Sequence, residues 1–317
     1  MTKPVIYLQE KLKPEQIEQI KAVSNDYLVI DSTDEDTSFN KEDIVIMLGW
    51  NHSFGPELLK NPNSRLKWVQ SISAGVDSLD LQTFSENEIL LSNASGIHKI
   101  SIAEHVLGVL LAEFRGLRRA IKANSWTNRE GEFKQLSEQN MLIVGTGQIG
   151  QQLASFAQAM KIRTYGINST GHPASGFSEC YSQKNLSKIV KDMDIVVNIL
   201  PLTNKTYHLY DEEMFQAMKK GTIFVNVGRG PSVKTEALVN ALQSNQISFA
   251  ALDVFEKEPL PDNHPFWTMD NVLITSHTSG ITPKFKQKLT DIFLTNLTSF
   301  VETGKLKKNQ INLEKGY

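Results

Sequence analysis

Six residues, Gly145-Thr146-Gly147-Gln148-Ile149-Gly150, constrain this chain more than any others. They follow the apolar run Met141-Leu142-Ile143-Val144 and open a stretch, 148–160, whose apolar positions recur at helical spacing. In a strand–turn–helix unit each glycine has its own task. Gly145 permits the tight turn, Gly147 lets the backbone approach a pyrophosphate, and Gly150 lets the helix pack closely on the strand. The phosphate charge then falls on the helix N-terminus, near Gln148 and Ile149. Three spaced glycines alone are weak evidence. The strand before them and the helix after them supply the context that a dinucleotide site requires. The bare alternative is a tight turn that holds nothing.

Short apolar runs alternate with amphipathic stretches along the whole chain, which predicts an α/β fold with parallel sheets. Strands are expected at 5–8, 27–30, 44–48, 66–72 and 89–92, with a helix at 14–23 that Pro14 opens. Residues 32–40 are polar and read as a loop, and 126–138 as irregular. A long helix is expected from 100 to about 123, with Ser101 placed to cap it and Glu104 three residues on. A second unit restarts at 141–144 and continues with strands at 163–167, 195–200, 222–227, 249–254 and 272–275. Residues 282–302 return to a helical pattern. The expected architecture is two Rossmann/flavodoxin-like, doubly wound parallel-sheet domains with a cleft between them. Residues 1–99 and 281–317 would form a substrate domain, and 100–280 a dinucleotide-binding domain.

Composition excludes several classes. The formal net charge is −2 and the pI is about 6.4, so no basic field is available for nucleic acid. No apolar run reaches the roughly 20 residues of a membrane span, and no export signal is expected ahead of the first strand. The single cysteine, Cys180, allows no intrachain disulfide and fits a reducing compartment. Its neighbours Glu179 and Tyr181 offer nothing to activate a thiolate. A cytoplasmic protein without a metal site is expected.

Three residues beyond the ends of later strands suggest chemistry: Arg229 in Asn226-Val227-Gly228-Arg229-Gly230, Glu258 in the segment from Leu252 to Leu260, and His277 after Ile274-Thr275-Ser276. Open α/β sheets place their ligand crevice at such ends. Arg229 suits bidentate pairing with a carboxylate, and its flanking glycines suggest a close backbone approach. Glu258 can orient His277, and an imidazole there can move a proton. Taken singly, each reads better as something plainer, a salt-bridging arginine, a solvated acid in Glu256-Lys257-Glu258, or a core histidine; all three after strands of the nucleotide unit favour function. An acid about 20 residues past the glycines usually holds the ribose of NAD. Here Asn168-Ser169-Thr170 occupy that position, and no Asp or Glu occurs from Gln151 to Ser178. That removes a repulsion against a 2′-phosphate. NADP(H) is therefore favoured over NAD(H), although no arginine stands beside the three.

These motifs resemble the D-isomer-specific 2-hydroxyacid dehydrogenase family over essentially the whole chain. The resemblance rests on Ser73-Ala74-Gly75-Val76-Asp77, Ile102-Ala103-Glu104-His105, the glycine turn, Pro201-Leu202-Thr203, the Arg229 segment, the segment from Leu252 to Leu260, and Ser276-His277. Glu258 lies 29 residues after Arg229 (258 − 229) and Asp253 lies 24 after it (253 − 229), as in the family.

The resemblance implies hydride transfer between a nicotinamide cofactor and a small 2-keto or 2-hydroxy acid. It implies that Arg229 binds the substrate carboxylate and polarises the keto oxygen. His277 is then the acid for reduction and the base for oxidation, with Glu258 holding it. Asp253 would lie near the nicotinamide, with Pro201 and Val227 also at the cofactor. The amides of Ala74, Gly75 and Val76 would contact the carboxylate. A homodimer is implied as well.

The chain departs from the family pattern at three places. Ser276 stands where proline is usual, Thr278-Ser279-Gly280 stand for a glycine-rich stretch, and Asn168 replaces the acid. Trp50, Asn51, His52, Ile97 and His98 are candidates for substrate side-chain specificity. Alternatives are a phosphoglycerate dehydrogenase and a nucleotide-sensing regulator like the transcriptional corepressors on this fold. Formate dehydrogenases of this fold carry glutamine where Glu258 stands.

Overall fold

The computed structural model describes residues 2–33, 38–126 and 133–314. The chain divides into two compact units, Met1–Ile97 with Thr282–Tyr317, and His98–Ile281.

The first unit holds five strands: β1 (Val5–Leu8), β2 (Leu28–Asp31), β3 (Ile44–Leu48), β4 (Trp68–Gln70) and β5 (Leu90–Ser92). All pair in parallel in the order β2-β1-β3-β4-β5, the flavodoxin-like winding. The run expected at 66–72 shortens to 68–70 at both ends, and beyond it Ile72 turns out to solvent, 37% exposed. The helix Phe285–Thr303 packs Leu289, Phe293 and Leu297 against Ile6, Leu8 and Trp68 of this sheet. The Trp68 and Phe293 rings stack at 5.0 Å. The indole nitrogen of Trp68 donates to Ser92 (2.9 Å), so its one polar atom is satisfied in the core.

The second unit holds seven strands: β6 (Asn140–Val144), β7 (Arg163–Asn168), β8 (Glu179–Ser182), β9 (Ile195–Asn198), β10 (Thr222–Asn226), β11 (Ile247–Leu252) and β12 (Val272–Ile274). They are parallel in the order β12-β11-β10-β9-β6-β7-β8. The winding reverses between β6 and β9, the switch point where such sheets bind ligands. Helices cover both faces, so β9 and β10 are buried throughout and read as continuous apolar runs.

Two expectations fail for physical reasons. The long helix ends at Phe114, because Gly116 takes a left-handed conformation (φ 65°) and a short helix, Leu117–Lys122, starts after it. Ser101 does not cap it; the helix begins at Lys99, which leaves Ser101 inside the first turn. Strand β8 was not anticipated. As an edge strand pairing only with β7, Glu179-Cys180-Tyr181-Ser182 carries no apolar signature. Residues 34–37 of the expected loop and 127–132 of the irregular stretch lie outside the described residues. Beyond those, Leu136–Glu138 forms a single 3₁₀ turn that buries Leu136.

Candidate active site

The C-terminal ends of adjacent strands carry the expected residues in an ordered row. Asn168 ends β7, Gly145 follows β6, Pro201 follows β9, Arg229 follows β10, Asp253 and Glu258 follow β11, and His277 follows β12. From β7 to β11 the row spans four strand spacings, about 19 Å. That length suits an extended dinucleotide, with Asn168 at one end of the row and Glu258 at the other.

The glycine turn fits a pyrophosphate. Gly145 has φ 117°, which its lack of a side chain permits. A Cβ on Gly150 would sit 2.0 Å from the Gly145 carbonyl oxygen, so glycine is required there for packing alone. A Cβ on Gly147 would meet nothing within 4 Å, so open space lies before its backbone. No side chain caps the helix Gln148–Ala159, which leaves its first amides, those of Gln148 and Ile149 included, available to an anion.

Arg229 is built on a buried amide network. Asn198 donates to Asn226 (2.9 Å) and to Ser232 (2.8 Å). Asn226 and Ser232 in turn donate to the Arg229 carbonyl oxygen (3.2 and 2.6 Å). The flanking glycines admit the protein's own loops. A Cβ on Gly228 would lie 2.7 Å from the Leu200 oxygen, and one on Gly230 would lie 1.8 Å from the Phe255 oxygen. The guanidinium donates to the Gly228 carbonyl (2.9 Å). Asn198 and Ser232 were missed in the sequence. The only hint was an amide closing the apolar run Ile195-Val196-Val197.

Glu258 and His277 are in direct contact. Glu258 Oε2 lies 2.8 Å from His277 Nδ1, while Oε1 accepts from the Phe255 amide (2.9 Å). Its neighbour Glu256 faces elsewhere, bound to His208 (2.6 Å) and to the Thr235 amide (2.7 Å). Those three residues line a separate cavity of about 670 Å³ that contains none of the expected site residues. His277 has φ 53°, a conformation costly for a residue with a side chain, on the order of 1–3 kcal/mol.

Asp253 holds His277 there. Its carboxylate is 1% exposed and accepts from the Thr275 hydroxyl (2.6 Å) and from the amides of Thr278 (2.9 Å) and Ser279 (3.0 Å). The Asp253 carbonyl also accepts the His277 amide (2.8 Å). Burial alone would raise the Asp253 carboxyl. The hydrogen bonds from Ser279, Thr275 and Thr278 outweigh it and hold the group below its usual range. This clamp explains how the loop keeps its shape with Ser276 in place of proline. His105, from the Ile102–His105 motif, places Nε2 3.4 Å from the Thr275 hydroxyl oxygen. Burial lowers His105 against the opposing pull of Asp253, which favours the neutral ring.

The remaining expected residues make the following contacts. Asn51 accepts from the Ser53 and Phe54 amides and donates to Gln9 (2.6 Å). Trp50 packs on Phe84 at 5.5 Å, and Ile97 is buried. His98 Nδ1 pairs with the Gly280 oxygen (2.7 Å), and His52 is exposed. At Ala74, Gly75 and Val76 the carbonyls accept from Asn93 (2.6 Å), Ser73 (2.5 Å) and the Leu79 amide (3.0 Å). Among the described residues, the three amides themselves find no acceptor. Pro201 accepts from Thr206 (2.7 Å), and Val227 is buried with its amide on Asn198 (3.1 Å).

Residues 106–279 match the family model described as D-isomer specific 2-hydroxyacid dehydrogenase, NAD binding domain. The chain is 33% identical over 265 residues to a glyoxylate reductase of Thermofilum pendens, covering 78% of this chain and 76% of that protein. A crystal structure of phosphoglycerate dehydrogenase from Lactobacillus plantarum is 39% identical, covering 97% of this chain and all of that one, with TM-score 0.58. An NADPH-dependent glyoxylate/hydroxypyruvate reductase from Sinorhizobium meliloti, solved with NADP and sulfate, is 25% identical. It covers 99% of this chain and 100% of that one, with TM-score 0.83.

Proposed function

The chain belongs to the D-isomer specific 2-hydroxyacid dehydrogenase family, oxidoreductases that act on CH–OH groups with NAD(P), and we propose that it reduces a small 2-keto acid such as glyoxylate or hydroxypyruvate, using NADP(H) in preference to NAD(H). The observation that carries this reading is the His277–Glu258 pair, clamped by Asp253 on the same row of strand ends as the glycine turn.

When bound, the reduced nicotinamide supplies a hydride to the keto carbon. His277 gives a proton to the keto oxygen, so that the C=O π bond is replaced by one C–H and one O–H bond. With Nδ1 engaged by Glu258, Nε2 is the nitrogen that exchanges this proton. Glu258 offsets the charge of the imidazolium before transfer. Arg229 holds the substrate carboxylate and stabilises negative charge gathering on the reacting oxygen. In the first unit, the amides of Ala74, Gly75 and Val76 suit a carboxylate, which their lack of acceptors among the described residues supports. Leu117, Ile121, Trp126 and Phe133 expose apolar surface around one segment, which supports a homodimer. No helix among the described residues is long and apolar enough to cross a membrane, and a cytoplasmic site of action suits the lone Cys180.

The test is turnover of glyoxylate, hydroxypyruvate and pyruvate with NADPH and NADH. The expected result is the highest kcat/KM for a short keto acid with NADPH. Oxidation of 3-phosphoglycerate at a higher kcat/KM would select the second reading, which the 39% identity to the Lactobacillus plantarum protein favours. Nucleotide binding without any turnover would select a regulator.

Arg229→Lys keeps a cation but loses the planar fork. It is expected to lower kcat/KM for keto acids by about 10²-fold, the scale of a lost transition-state donor. Cofactor affinity should hold. An equal loss in cofactor affinity, measured by fluorescence titration, would move Arg229 from the substrate to the dinucleotide.

A further inference from the structure

Asn168 stands where an acid would read the ribose, yet its side chain is wholly engaged. Its oxygen accepts from the amides of Thr170 (3.2 Å) and Gly171 (2.6 Å). Its nitrogen donates to the His172 carbonyl (2.8 Å) and to Thr146 (3.1 Å). Asn168 therefore shapes the loop after β7 and has nothing left for a ligand. Gly171, at φ 83°, backs onto β8, where a Cβ would come 3.0 Å from the Ser182 amide nitrogen. The loop is thus held on two sides, and it turns Ser169, Thr170 and His172 to solvent.

Thr170 Oγ1 lies 2.9 Å from His172 Nδ1, which orients the ring and leaves Nε2 available. Between Asn168 and Ser178, His172 is the one side chain able to carry positive charge, and no carboxylate occurs. Two hydroxyls and an oriented imidazole form a small anion-binding set, in which a charged donor contributes most.

We infer that His172, oriented by Thr170, recognises the 2′-phosphate of NADP(H) in place of an arginine. The inference rests on the proposed cofactor and names the residue that selects it.

The experiment is calorimetric titration of the full-length protein with two probes, adenosine 2′,5′-bisphosphate and AMP. The wild type should bind the bisphosphate more tightly. His172→Ala should weaken the bisphosphate by about tenfold, the scale of one charge-assisted hydrogen bond at an exposed site, while AMP affinity holds. His172→Arg should restore or exceed the wild-type preference. The NADPH-to-NADH ratio of kcat/KM should follow the same order. Retained AMP binding shows that each variant is folded.

An unchanged bisphosphate affinity in His172→Ala overturns the inference and leaves the dehydrogenase reading standing. So does a loss that appears only in Lys184→Ala, a cation beyond the end of β8. Equal losses for both probes also overturn it, since the 2′-phosphate would then play no part. A wild type that binds neither probe overturns the cofactor reading itself.

Discussion

Replacing His277 with alanine is expected to lower kcat for keto-acid reduction by about 10²–10⁴, the usual contribution of a positioned acid. Cofactor affinity should change little, because the side chain is tied to Glu258 and not to the glycine turn. The protein holds His277 in a left-handed backbone conformation, with its amide on Asp253 and its ring on Glu258. That degree of constraint on one ring is what proton transfer needs, since the donor must meet one oxygen in one geometry. Glu258→Gln should give a smaller loss, about tenfold, because the amide replaces a charged acceptor by a neutral one. Glutamine also cannot accept from both His277 and Phe255 as the carboxylate does. Single-turnover rates with saturating cofactor would measure both variants. A His277→Ala enzyme with near-normal kcat would end its assignment as the acid.

Much of this site was legible in the sequence because it sits where regular strands stop. Apolar runs mark β6, β9, β10, β11 and β12, and the residues just past them lie at the C-terminal ends of these strands. What lay hidden was the identity of each partner. The glycines beside Arg229 announced a close approach, but the approaching atoms are the carbonyls of Leu200 and Phe255. No local pattern shows which loop arrives, because the two loops follow the flanking strands β9 and β11, outside the Arg229 segment itself. Asn168 occupies the position of the ribose-holding acid, whereas its hydrogen bonds close its own loop, a use that short polar side chains make of turns. Gly116 was visible, yet the apolar positions on both sides masked its power to end a helix. β8 was invisible for the opposite reason: an edge strand needs no apolar run.

Asp253→Asn tests the support beneath the histidine. The resemblance implies a place near the nicotinamide for this residue; in the structure both of its carboxylate oxygens are used by Thr275, Thr278 and Ser279. Asparagine matches the shape and fails the chemistry. One oxygen can accept from Thr275 and Thr278, but the amide nitrogen then faces the Ser279 amide, donor against donor. A buried donor left unmet costs about 1–3 kcal/mol. The loop must move to relieve it, and His277 moves with the loop. The variant should therefore unfold at lower temperature and lose kcat together, while cofactor affinity holds.

The pH dependence carries a sign. The Asp253 carboxyl lies below its usual range in the folded protein, so its contribution is present above about pH 4, the unfolded value. It is lost as pH falls through the folded value. The stability gap between wild type and variant should be full at neutral pH and narrow in acid, as the wild type loses the same bonds. Thermal unfolding from pH 7 down to pH 3 would trace it. A variant with unchanged stability but weakened NADPH binding would return Asp253 to the cofactor and leave His277 held by Glu258 and its own backbone.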